Sequence, residues 1–151
     1  MQLRNNGIRT PILILGYTPA SCASILSENN ISQTVFSRSY AEELSKSARA
    51  DGVEIKIHIK LDSGMGRIGF DCIHSEKKAV DTVYDVCNME GLAPEGIFTH
   101  FAVADEGADG REFTRIQYER FISAVQMIEG RGIYFDLKHC ANSATTFEYP
   151  E

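Results

Sequence analysis

The chain has 151 residues, a net charge of −6, 43% hydrophobic residues and 24% charged residues; that is enough for one water-soluble core and too evenly acidic to neutralise a phosphate backbone. No apolar run reaches the ~18–20 residues that span a bilayer, and the opening Met-Gln-Leu-Arg lacks a signal-peptide stretch. A cytoplasmic chain acting on a small molecule, with neither nucleic acid nor membrane as partner, is expected. Cys22, Cys72, Cys87 and Cys140 form no Cys-x-x-Cys pair, which speaks against a structural metal and a disulfide framework and reads as free thiols.

Pro11 to Gly16 is a short apolar run between turn residues, the pattern of a strand buried on both faces. A helix from Ala20 to about Asn29 follows, with Pro19 at its first turn. Ser32 to Ser37 is rich in strand formers, and a helix from Tyr40 to about Ala50 stops at Asp51-Gly52. From Glu54 to Leu61 the side chains alternate: Glu54, Lys56, His58 and Lys60 on one face, Ile55, Ile57, Ile59 and Leu61 on the other. This pattern fits a sheet with one solvated face, and equally a barrel strand whose polar face enters the barrel mouth.

A helix from about Ser75 to Met89, a strand from Gly96 to Phe101 and a helix from about Arg111 to Ile128 come next. The last helix carries Phe113, Ile116, Phe121, Val125 and Ile128 near one face, with Asp109 and Glu112 spaced as a capping-box variant and Gly130 as a stop. A strand from Tyr134 to His139 then leads into Ala141-Asn142-Ser143. Strand and helix alternate about five times, so parallel strands with crossover helices are expected, in an open doubly wound sheet or in part of a (β/α)8 barrel. No Gly-x-Gly-x-x-Gly follows the first strand and no Gly-Lys-Ser/Thr motif occurs, so the common nucleotide sites lack support.

In such folds chemistry gathers at the C-terminal ends of the strands. Four of these ends are polar: Gly16 to Thr18, Lys60 to Arg67, Thr99-His100, and His139 to Ser143. The glycine-rich Ser63-Gly64-Met65-Gly66-Arg67 stretch can bring Arg67 to a ligand or can be a flexible connector. Ser143 stands where a helix begins, as an N-cap or as part of a phosphate site. His100 and His139 are each readable as structural or as functional histidines.

At these residues the chain resembles the alanine racemase family, including the serine/alanine racemases. The resemblance is carried by Pro11-Ile-Leu-Ile-Leu-Gly-Tyr-Thr-Pro19, Gln33-Thr-Val-Phe-Ser37, His58-Ile-Lys-Leu-Asp-Ser-Gly-Met-Gly-Arg-Ile-Gly-Phe70, Gly96-Ile-Phe-Thr-His-Phe-Ala102 and His139-Cys-Ala-Asn-Ser-Ala144. The resemblance implies an α/β fold in which residues 1 to 151 supply about five of eight barrel units, roughly strands 3 to 7. It implies pyridoxal 5'-phosphate as cofactor, an amino acid as substrate, a homodimeric parent enzyme, and racemisation of alanine or serine that supplies D-amino acids for the cell wall.

Residue by residue, the resemblance makes Lys60 an N-carboxylated lysine that orients Arg67, and Arg67 a contact of cofactor and substrate carboxylate. Ser143 would bind the cofactor phosphate with Asn142 supporting the loop, and His100 and His139 would hold the arginine that partners the pyridine nitrogen. The family's cofactor-bearing lysine motif and catalytic tyrosine have no counterpart in these residues. The isolated chain is therefore expected to be inactive, with a non-catalytic, oligomerising module derived from a racemase barrel as the alternative.

Overall fold

In the computed structural model, which describes residues 1–149, every strand pairing is parallel. The strands are β1 (Ile12–Ile14), β2 (Ile31–Val35), β3 (Ile55–Asp62), β4 (Phe70–Asp71), β5 (Leu92–Phe98) and β6 (Leu137–His139). They lie in the order β1-β2-β3-β5-β6, with β4 paired beside the end of β3. The helices are α1 (Gln2–Asn5), α2 (Ala23–Glu28), α3 (Arg38–Asp51), α4 (Glu76–Cys87), α5 (Gly107–Glu129) and α6 (Ser143–Glu148). The sheet curls into a half-barrel with helices between its strands, part of a TIM-type barrel. The open doubly wound sheet is thereby set aside.

The alternation along β3 assigns its two faces. Ile55, Ile57, Ile59 and Leu61 are at most 1% exposed and join the core with Leu44, Val83 and Ile128 of the helices. Each such side chain contributes roughly 1.5–3 kcal/mol by leaving water. The helices meet the sheet through stripes at helical spacing: Tyr40, Ala41, Leu44 and Ala48 on α3, and Ala79, Val80, Val83 and Val86 on α4. Ser37 caps α3 by accepting from the Tyr40 N–H, and Gly52 ends it in the left-handed conformation at φ 66°.

Several expectations change. The strand expected over Pro11 to Gly16 is only half-buried along Ile12–Ile14, because it forms one edge of the sheet, and Leu15 beyond it is 60% exposed. The helix expected at Ala20 opens as a 3-10 turn over Ala20–Cys22. β5 starts at Leu92 rather than Gly96, and β6 is confined to Leu137–His139, with Tyr134 in solvent. α5 begins at Gly107 with no side-chain cap, so the Asp109–Glu112 box does not form, and Glu112 instead pairs with Arg115. The inward face of α5 carries Gly110, Thr114 and Gln117, while Phe113 lies toward its exposed side.

Short α1 was not expected, and Arg4 explains why it is held. Its guanidinium donates to the carbonyls of Ile8, Thr10, Asn29 and Asn30 at 2.8–3.0 Å. That ties the N-terminal segment to the turn entering β2 and satisfies carbonyls that a turn leaves unpaired.

Candidate functional site

The pairing register sets which side chains share the inner face of the half-barrel. Lys60 on β3 pairs with Phe98 on β5, which pairs with His139 on β6. One step lower, His58 pairs with Thr34 and Gly96. In the upper row the Lys60 ammonium sits 5.7 Å from the centre of the Phe98 ring, and His139 stacks on that same ring with centroids 4.8 Å apart and planes 5° from parallel. Two of the sequence-derived residues, Lys60 and His139, thus stand at the C-terminal strand ends, where sites form in this architecture.

The loop after β3 is built rather than a loose connector. Asp62 Oδ1 accepts from the backbone N–H groups of Gly64 and Gly66 at 3.1 and 3.0 Å. The chain then folds back, so that Phe70 pairs with Leu61 and the Cys72 N–H donates to the Asp62 carbonyl. Gly69 makes this return possible. At φ 138°, a Cβ there would meet the Asp62 nitrogen at 2.7 Å. Arg67 rides at the exposed tip of this excursion.

Two residues of α5 clamp the loop and its neighbour. Buried Gln117 accepts from the Ala102 N–H at 2.9 Å and donates to the His100 carbonyl at 3.3 Å. Arg120 donates to the Ser63 carbonyl at 3.1 Å, and the Ser63 hydroxyl meets that of Thr99 at 2.8 Å. Thr99 in turn donates to the Leu61 carbonyl. Sequence reasoning passed over Gln117 because a polar residue at helical spacing reads as a surface position. Its place one turn before Phe121 on the inward stripe was the available signal.

The electrostatics converge on Lys60. Burial and the Arg67 charge lower its pKa, which Asp62 partly restores. Burial, then Arg67 and Lys60, also lower that of His100. Lys60, Arg67 and His100 therefore share one neighbourhood in which cationic forms oppose each other. Such a cluster favours an anionic ligand.

At the end of β6 the structure distinguishes Asn142 from Ser143. Asn142 is the cap of α6: its Oδ1 accepts from the Thr145 N–H and hydroxyl at 2.9 and 2.8 Å, and its Nδ2 donates to the Phe101 carbonyl at 3.4 Å. Ser143 is the first helical residue, with an exposed side chain. The N-cap reading of Ser143 gives way to one for Asn142, whose amide holds the loop.

His139 has a partner that motif reading did not single out. His58, 3% exposed, places Nδ1 3.1 Å from His139 Nε2 and Nε2 3.3 Å from Glu95 Oε2. Glu95 was missed because the strand was expected to begin one residue after it.

The family model described as alanine racemase, N-terminal domain, matches residues 1–151. The chain is 40% identical over 150 residues to the alanine racemase of Desulforamulus reducens, covering 99% of this chain and 39% of that protein. It is 43% identical over 149 residues to that of Desulfovibrio desulfuricans, covering 99% and 38%. Among solved structures, alanine racemase of Clostridium difficile 630 in complex with cycloserine superposes with a TM-score of 0.90 at 35% identity, over 99% of this chain and 40% of that one. Histidine racemase of Leuconostoc mesenteroides gives a TM-score of 0.75 at 27% identity, over 95% and 37%. The chain thus spans about two-fifths of the length of these relatives.

Proposed function

The chain belongs to the alanine racemase N-terminal domain family, and from that premise we propose that it forms the cofactor-facing part of a pyridoxal-phosphate-dependent amino-acid racemase barrel. The reaction is interconversion of L- and D-alanine, with serine as the related substrate, and its product serves cell-wall peptides. Residues 1–151 correspond on this reading to strands 3 to 7 of eight, in a cytoplasmic homodimer. The observation that carries the proposal is the grouping of Lys60, Arg67 and His100 at the strand ends, in one mutually repelling, anion-seeking neighbourhood.

The donor set fits the cofactor. Ser143 presents an exposed hydroxyl at the start of α6, suited to phosphate oxygens, while Asn142 keeps the turn in shape through its bonds to Thr145 and Phe101. Arg67 offers a fork of N–H donors suited to a phenolic oxygen and a carboxylate. Bound pyridoxal phosphate supplies an electron sink that renders the α-hydrogen of an amino acid acidic.

Lys60 has the environment that N-carboxylation needs. Its lowered pKa enlarges the fraction of neutral amine, which adds carbon dioxide with release of one proton, and the resulting carbamate anion would relieve the repulsion with Arg67 and hold its guanidinium. His100 shares this neighbourhood with Lys60 and Arg67, and His139 stacks on the Phe98 ring that the Lys60 ammonium approaches.

The test is the rate of D-alanine formation by the enzyme containing this chain. Lys60→Met and Arg67→Leu are each expected to lower kcat/KM by roughly 100-fold or more, in line with removal of a preorganised charge donor. Rates within a few-fold of the parent would reject the reading. The second reading, a pairing module, is favoured by the edges that β1 and β6 form among the described residues. Under it, the purified chain sediments as a self-associated species and shows no change in cofactor absorbance on titration.

A further inference from the structure

The inner face carries a polar chain below the Lys60 row, and it originates in a β-bulge. Along β3 and β5, Ile57 pairs with Pro94 and His58 with Gly96, so Glu95 is an extra residue without a partner. Bulges re-aim side chains next to functional sites, and they tolerate a proline that a regular ladder would not. Here the bulge turns Glu95 toward Ser32, Lys56 and His58. Gly96 completes the slot, since a Cβ there would meet the His58 ring at 2.5 Å.

The hydrogen bonds have a forced direction. The Ser32 hydroxyl donates to Glu95 Oε2 at 2.5 Å and the Lys56 ammonium approaches Oε1 at 3.1 Å. Burial pushes the Glu95 carboxyl up, but Ser32, Lys56 and His58 bring it below its ordinary value. It is therefore a carboxylate that only accepts. Burial lowers the pKa of His58 despite Glu95, and burial and His58 lower that of His139, so both rings are neutral around pH 7. A neutral imidazole has one N–H. His58 must spend it at Nε2, on Glu95. Its Nδ1 is then a lone pair, and among the described residues the donor that reaches it is the Nε2–H of His139 at 3.1 Å.

We propose that Glu95, acting through His58, fixes His139 as the Nε2–H tautomer, so that His139 presents a bare Nδ1 to the inner face and takes an N–H or O–H donor there, not a phosphate or carboxylate oxygen. Glu95 and His58 are positioning residues of the proposed site. The inference rests on the reading of that site as functional, but its readout does not.

The experiment is long-range nitrogen–proton NMR on the full chain labelled with 15N-histidine at neutral pH. With four histidines, His58→Gln and His139→Gln assign the two signals. Both rings are expected to show a proton-bearing Nε2 and a lone-pair Nδ1. In Glu95→Gln, whose carboxamide donates as well as accepts, the His139 signals are expected to move away from that single pattern. His58→Phe, which keeps ring volume and ends the relay, is expected to do the same should the first variant fold poorly. An Nδ1–H pattern for His139 in the parent chain, or an unchanged one in both variants, would overturn the proposal. No cofactor or turnover enters the measurement, so a failed racemase assay and a failed tautomer assignment are separate results.

Discussion

Along β3 the residues Ile55, Ile57, Ile59 and Leu61 pack dry against the helices, whereas Lys56, His58 and Lys60, one position away from each, face a polar surface shared with Glu95, Phe98 and His139. One strand thus serves two purposes with no residue doing both. The outer face holds the fold, through apolar area removed from water. The inner face holds titratable groups, and among them the cationic forms of Lys60, Arg67 and His100 oppose one another.

If this division is right, the largest effect comes from the outer face. Ile59→Ala is expected to lower unfolding free energy by about 2–5 kcal/mol, because the rigid sandwich of sheet and helices cannot close over the lost carbons. Denaturant titration measures it, and a change under ~1 kcal/mol would break the comparison.

Gln117→Leu probes the joint between the two regions, where an outer helix sets the shape of inner-face loops. Losing its bonds to Ala102 and His100 is expected to cost about 1–3 kcal/mol. Hydrogen exchange should accelerate at the Ala102 amide more than in β3, which separates loop release from general weakening.

The inner face should reveal itself through pH. His58, His100 and His139 all have folded pKa values below the ordinary 6.5. As pH falls below that value the unfolded chain takes up protons first, so stability is intact above it and declines down to the folded values. Glu95, held below its ordinary 4.5, adds a second decline at lower pH, again because the unfolded state protonates first. Denaturation midpoints measured from neutral to acid pH are expected to fall in that order, and His58→Phe should reduce the first decline.

The smallest effect is expected at Lys60. Lys60→Met should change stability by no more than about 0.5 kcal/mol, since the replaced ammonium is already disfavoured by burial and by Arg67. The same variant, expected to lower kcat/KM by roughly 100-fold or more, would then leave the melting curve in place, the sharpest form of the contrast between the faces.

This contrast also governs what was legible in the residues. The order of strands and helices, both faces of β3 and the strand ends bearing Lys60, His100 and His139 follow from apolar periodicity, which local sequence carries directly. The loop to Arg67 was ambiguous because glycine content reports freedom, whereas the Asp62 bonds that use that freedom are tertiary. Gln117 was passed over because its burial depends on two loops reaching it from elsewhere in the chain, and only its place on the inward stripe of α5 pointed to it. The start of α5 was misplaced because its first turn is capped by no side chain, so Asp109 and Glu112 offered a signal that Arg115 diverts.

Glu95 shows a further consequence. An extra residue in a ladder is a feature of chain length, not of residue type, so it is gained or lost only by insertion or deletion. Pro94 and Gly96 already pair with adjacent residues of β3, and excising position 95 would leave those pairs in step. The fold could pass through such a deletion with its register unbroken, while the histidines of the inner face would lose the carboxylate that orients them. Spacing, in this strand, is where a loss of chemistry could occur without a loss of architecture.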